Sequence, residues 1–311
     1  MADSVQNQQE FYAPIISQTL SCPAGERLLI NRDFNHFLQK KGLNDFAGFW
    51  NLSGEIIKDI GARSVSKISL QADSAAGQER KPDIFYLKKH QERLNLFQKL
   101  LFFMAGANGS EGLREFNFYS SFRANGLATA VPVAAGRRFS SFFIMESFLF
   151  TRDFCPFIAL EELILQQPQS LTGAENREKR RNILTAIAVY ARKMHKAGLN
   201  QQDFNATHVL LNNLENGPLQ IALFDLQRVD RNPLKRLRWP IKALAELNFT
   251  LPITIFSQEE RLALFCNYKN KKKLSLMDKL QYRWIVAKTE RIARHSRKRN
   301  LAPKMVEEQT R

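Results

Sequence analysis

Two aspartates and the runs around them carry the chemistry of this chain. Met194 to Asn200 reads as a helix end stopped by Gly198, Gln201 to Thr207 is a polar loop holding Asp203, and the apolar run Ile221-Ala222-Leu223-Phe224 closes on Asp225. Phosphoryl transfer asks for such a pair. One carboxylate orients an attacking hydroxyl and accepts its proton, and the other holds the magnesium that bridges the phosphates. Asp203 suits the first role. Asp225 suits the second, because a carboxylate ending an apolar run must find a cation, a donor or solvent. Taken alone, either aspartate is also what an ordinary turn or helix cap uses. The order Lys88, Glu115, Asp203, Asp225 raises the signal, since a strand lysine held by a helix-borne glutamate is the usual device for fixing nucleotide phosphates. His195, at the end of an amphipathic helix, is expected to be structural.

The elements that must position these residues are legible in part. Residues 26–53 lack strong punctuation, and Phe46, Phe49 and Trp50 suggest a short helix. Ile56 to Leu70 turns β-like, with clear alternation over Ser64 to Leu70. A polar connection then leads to Ile84-Phe85-Tyr86-Leu87-Lys88, a hairpin partner with Lys88 at its end. Helices are expected over 91–104 and 111–124, the second carrying Glu111 and Glu115. Strands follow at 132–136 and 141–147. After a connecting segment at 148–174, Ile183, Ile187, Tyr190 and Met194 fall at helical spacing, and further helices are expected over 238–248, 258–268 and 275–299. The resulting class is α+β with two lobes: a small antiparallel-sheet lobe with one helix over 54–147, and a mainly helical lobe over 148–311. Residues 1–53 read as an extension packed on the body.

At 311 residues and 44% hydrophobic, the chain can bury a substantial core. The net charge is +16, and from Arg231 onward there are 20 Lys and Arg against 7 Asp and Glu. Such a surface favours a polyanionic partner: anionic lipid, lipopolysaccharide or nucleic acid. No nucleic acid is expected, because base-stacking aromatics in that region are limited to Tyr282 and Trp284. Those two suit packing or a membrane interface, on a helix that also bears Arg283, Arg291, Arg294 and Arg297. Met1 to Glu10 lacks the pattern of a secretory signal. The greasiest run, Phe142 to Phe150, is interrupted by Glu146 and is too short to span a bilayer. Cys22, Cys155 and Cys266 are scattered, which favours a reducing compartment and a role as core filler.

With these residues in place, the chain resembles the lipopolysaccharide core kinase family, which includes heptose and Kdo kinases and is itself similar to eukaryotic-type protein kinases. The resemblance covers roughly residues 54–268. It rests on Tyr86 to His90, Arg114-Glu115-Phe116, Phe143 to Glu146, the block 194–211 and Phe224-Asp225-Leu226. The block at 194–211 resembles the heptose kinase branch most. The resemblance implies a protein-kinase-like fold using ATP and Mg2+. Lys88 would sit on the α/β-phosphates with Glu115 as its partner, Met145, Glu146 and Ser147 would form the adenine-binding hinge, Asp203 would be the base, and Asp225 would hold magnesium. His208 stands where many kinases place a metal-binding asparagine. Imidazole suits magnesium poorly, so His208 is expected to position a phosphate or the loop.

The acceptor implied is a heptose or Kdo hydroxyl of the lipopolysaccharide inner core, met by a cytoplasmic enzyme at the anionic inner-membrane surface. Two departures stand out. Gln201-Gln202 replaces the His-Arg common before the catalytic aspartate, and no G-x-G-x-x-G loop is present. Gly61 to Val65 is the stand-in for that loop, with Ser64 covering the phosphates. The competing reading is a noncatalytic kinase-like module binding anionic membrane or a protein. Retention of the lysine and both aspartates favours the enzyme.

Overall fold

Alternation is the organising pattern of the first half, and it builds a sheet. The computed structural model describes residues 11–20, 25–71, 82–97, 109–214 and 218–298, and divides between Phe154 and Cys155 into two units. In the first unit, strands β1 (Ser17–Leu20), β2 (Arg27–Asn31), β3 (Glu55–Ile60), β4 (Arg63–Leu70), β5 (Asp83–Arg93), β6 (Pro132–Ser141) and β7 (Ile144–Arg152) form one antiparallel sheet in the order β1-β2-β6-β7-β5-β4-β3. Ser17–Leu20 and Arg27–Asn31 are thus strands at the edge of the sheet and not an extension lying on it. Strand β5 runs through Arg93, where a helix was expected, because Gln91, Glu92 and Arg93 continue the ladder against Glu146, Met145 and Ile144. The rest of that expected helix falls largely on residues outside the described ones. Lys88 accordingly lies within its strand and not at its end.

Successive side chains of a strand point to opposite faces, and the two faces of this sheet have different fillings. On one face, Phe85 and Leu87 of β5 join Phe148 and Phe150 of β7 in a core with Phe46 and Phe49. The last two belong to the short helix α2 (Phe46–Trp50), which follows α1 (Asn35–Lys40). Rings stack at 4.9 Å between Phe49 and Phe148 and between Phe85 and Phe150, the spacing at which aromatic pairs add to plain burial. Lys88 is on the other face with α3 (Glu111–Ala124), whose Leu113, Phe116 and Phe122 are fully buried.

The second unit is mainly helical. A β8 bridge (Ile158–Ala159) leads into α4 (Leu160–Gln166) and then α5 (Arg177–Lys196). Buried Ile183, Ile187, Tyr190 and Met194 lie at the spacing read from the sequence. Gly198 ends that turn at φ +74°, a conformation glycine adopts without strain. Short strands β9 (Asn200–Gln201), β10 (Val209–Asn212), β11 (Gln220–Leu223) and β12 (Val229–Asp230) follow, with β10 paired to β11 and β9 to β12. Helices α6 (Trp239–Thr250), α7 (Gln258–Lys269) and α8 (Leu276–Lys298) complete the unit. Among the described residues no helix is long and apolar enough to cross a membrane. The expectation that the cysteines fill the core fails at Cys155, which is exposed beyond the end of β7.

Candidate active site

In the first unit, the direct cross-strand partner of Lys88 is Val65 on β4, so the two share the face covered by α3. Glu115 is completely buried on that helix, and its two carboxylate oxygens each accept a hydrogen bond from Lys88 Nζ at 3.2 Å. Tyr119, one turn on, donates to the same carboxylate at 3.4 Å. A buried carboxylate needs this degree of satisfaction to remain charged at acceptable cost. One turn earlier, Glu111 takes Arg63 at 2.7 Å and lies 3.1 Å from His90 Nδ1. Alternate residues of β5 thus pair with successive turns of α3.

Two expectations for this unit need correction. Ser64 pairs with Lys89, not Lys88, so strand alternation turns its side chain to the opposite face from Lys88 and Glu115. It cannot cover a phosphate held by that pair. Met145, Glu146 and Ser147 sit at the beginning of β7, registered against Glu92, Gln91 and His90. All three are buried, and Glu146 accepts from Arg138 at 2.7 Å. A hinge must lie where the chain leaves one unit for the next. That point comes after the far end of β7, near Phe154.

In the second unit, each of the two aspartates is held at its backbone carbonyl by a partner of its own. His208 Nδ1 lies 2.9 Å from the Asp203 carbonyl; a carbonyl only accepts, so that nitrogen carries the hydrogen. The other ring nitrogen is 3.9 Å from Asp225 Oδ2, beyond hydrogen-bond reach. Asn205 closes the turn between them, its side chain accepting from the backbone N–H groups of Thr207 and His208. Asp225 holds φ +57°, the left-handed region that a non-glycine residue occupies under constraint and often at functional sites. Its carbonyl accepts from the fully buried side chain of Gln201.

Gln201 and Gln202 thereby receive roles. Gln201 anchors the backbone of Asp225 through its amide, and Gln202 accepts from Lys242 Nζ of α6 at 2.9 Å. Arg228 donates to Asp203 Oδ1 at 2.8 Å. Burial and the Arg228 guanidinium lower the Lys242 ammonium. Burial raises the neighbouring Glu246 carboxyl, with Asp203 adding to the rise and Lys242 opposing it. Sequence reading missed Arg228, Lys242 and Glu246. The only signal for Arg228 was its place as the first cation after Asp225; the other two arrive from a separate helix.

His195 is structural, as expected. It is bonded on both ring nitrogens, to Asn200 Oδ1 at 3.0 Å and to the Tyr268 hydroxyl at 2.9 Å. Burial pushes it down to about 4. With Nε2 donating to Asn200, Nδ1 is left to accept from Tyr268, which is the neutral imidazole.

The comparisons with known proteins decide what this arrangement belongs to. The model of the lipopolysaccharide kinase (Kdo/WaaP) family matches residues 47–268. The chain belongs to this family. It is a phosphotransferase acting on an alcohol group, and the family's chemistry uses ATP. A relative from Escherichia coli, the lipopolysaccharide core heptose(I) kinase WaaP, is 26% identical over 215 residues, covering 68% of this chain and 76% of its own. The Pseudomonas aeruginosa protein of the same name is 28% identical over 146 residues, 46% of this chain and 53% of that one. A solved structure titled WaaP in complex with acyl carrier protein aligns at a TM-score of 0.57 and 22% identity over 85% of this chain and 98% of that one. That likeness establishes the protein-kinase-like α+β fold.

Proposed function

We propose that this kinase transfers the γ-phosphoryl group of ATP to a hydroxyl of a heptose in the lipopolysaccharide inner core, at the cytoplasmic face of the inner membrane. The observation that carries the reading is that both aspartates are held at their backbone carbonyls, Asp203 by His208 and Asp225 by Gln201 two residues before Asp203, with an intact Lys88–Glu115 pair elsewhere in the chain. The heptose assignment draws on the names of the relatives; Kdo is the other acceptor the family admits.

Asp203 orients the acceptor hydroxyl and accepts its proton as the O–P bond forms. Arg228 fixes the rotamer of that carboxylate. Lys88, held by Glu115, lies on the α- and β-phosphates. Asp225 offers the hard oxygen ligand that Mg2+ prefers, and the ion when bound neutralises charge on the phosphates. His208, whose donor is nitrogen, keeps the loop in place instead of binding that ion. The adenine-binding hinge is assigned to the crossing segment near Phe154 and not to Met145–Ser147.

The test is transfer from Mg-ATP to purified, underphosphorylated lipopolysaccharide core by wild type and Asp203→Asn. Loss of transfer by about a thousandfold or more, with nucleotide affinity retained, is the expected result. Equal turnover by the variant would remove Asp203 from the mechanism. Mapping the labelled sugar separates heptose from Kdo.

A further inference from the structure

Helix α8 presents a face that nothing among the described residues covers. Leu276, Leu280 and Trp284 lie four residues apart and are 83%, 37% and 52% exposed, and Met277 beside them is 69% exposed. At 1.5 Å per residue this stripe is about 12 Å long. The same face continues at helical spacing through exposed Ala287 to Arg291 and Arg294, with Lys279, Arg283 and the single acid Glu290 exposed along one flank. The opposite face is committed to the fold: Ile285 is buried, Tyr282 packs on Phe265 at 5.4 Å, and Asp278 is clamped by Lys269 and Lys271. The exposed face is therefore fixed in direction.

A soluble helix has no reason to show water three large apolar groups in line. A helix lying in a bilayer interface does, when cations flank or follow the stripe and reach the headgroup phosphates.

We propose that this face of α8 is a docking surface for an anionic lipid bilayer, with Leu276, Met277, Leu280 and Trp284 entering the headgroup boundary and Arg283, Arg291 and Arg294 contacting lipid phosphates. The choice of a bilayer as the occupant rests on the reading that the acceptor is part of a membrane glycolipid.

The test is vesicle flotation of the full chain without ATP or acceptor, using phosphatidylcholine alone and phosphatidylcholine with roughly 30% phosphatidylglycerol. Wild type should float with the anionic vesicles, and Trp284 emission should shift to the blue. Leu280→Ser/Trp284→Ser should weaken partition about tenfold. Arg291→Gln/Arg294→Gln should weaken it about thirtyfold, at about 1 kcal/mol per cation. These positions face solvent, so circular dichroism melting and phosphorylation of a water-soluble, delipidated core oligosaccharide should be unchanged. Binding that persists in both double variants overturns the proposal. So does a stripe that captures a small acidic protein while wild type ignores anionic vesicles. Loss of oligosaccharide phosphorylation by wild type would count against the kinase reading alone.

Discussion

Gln201 is the residue whose identity departs most from expectation and whose geometry explains it. A glutamine amide reaches the Asp225 carbonyl from a fully buried position, which holds the one aspartate of the pair that sits at positive φ. Truncation to Ala should lower kcat about tenfold to a hundredfold through misplacement of Asp225, while Gln201→His, which keeps a ring donor, should lose less. Steady-state rates at saturating ATP separate the three, and an Ala variant with wild-type kcat would mean that the anchor is idle. His195 makes a different kind of prediction. Burial lowers it from 6.5 to about 4, so between those values the unfolded chain binds a proton that the folded chain refuses. The stability involved is fully present above the upper value and is lost as pH falls toward the lower one, roughly 3 kcal/mol in all. Urea midpoints at neutral and mildly acid pH should diverge in wild type and converge in His195→Gln. An identical drop in both would assign the acid sensitivity elsewhere.

At the scale of elements, the Lys88–Glu115 pair depends on how closely α3 approaches β7. Gly112 makes that approach possible, because a Cβ there would overlap the Phe148 carbonyl. Gly112→Ala should therefore push the helix off the sheet, costing about 3 kcal/mol and raising the KM for ATP. Denaturant unfolding and ATP titration check both, and an unaltered KM would detach helix position from nucleotide binding. The limits of sequence reading also lie at this scale. Helices α3 and α5 were legible because each buries one stripe at a regular period, and the loop carrying Asp203 was picked out because its polar and apolar runs are contiguous. Ser64 was misassigned because its facing depends on which residue stands opposite Lys88, a matter of register that a single strand does not encode. Met145 to Ser147 lie inside a strand that the sequence did not show to continue, because apolar β7 runs on through Phe150 without a stop signal after Ser147. Strands β1 and β2 went unread because each is short and β2 joins the rest of the sheet through β6, about a hundred residues further on.

For the molecule as a whole, the excess of positive charge acts on encounter more than on chemistry. Raising salt from roughly 0.05 to 0.5 M shortens the reach of these charges to a few ångströms. The KM for a lipopolysaccharide acceptor should then rise about tenfold while kcat holds. A kcat that falls in parallel would point to a conformational effect of salt instead of weaker attraction.

The seven-stranded order has a consequence for how the protein is made. Strand β2, with its buried Leu28, Leu29 and Ile30, takes β6 as its inner neighbour, Arg27 standing opposite Arg137. That partner leaves the ribosome about a hundred residues later, which at 5–20 residues per second is a wait of roughly 5–20 seconds. During that interval a greasy strand has an open edge and only β1 to pair with, a natural target for a chaperone that shields nascent chains. Strand β2 is made well before β6 and is locked in place only after it.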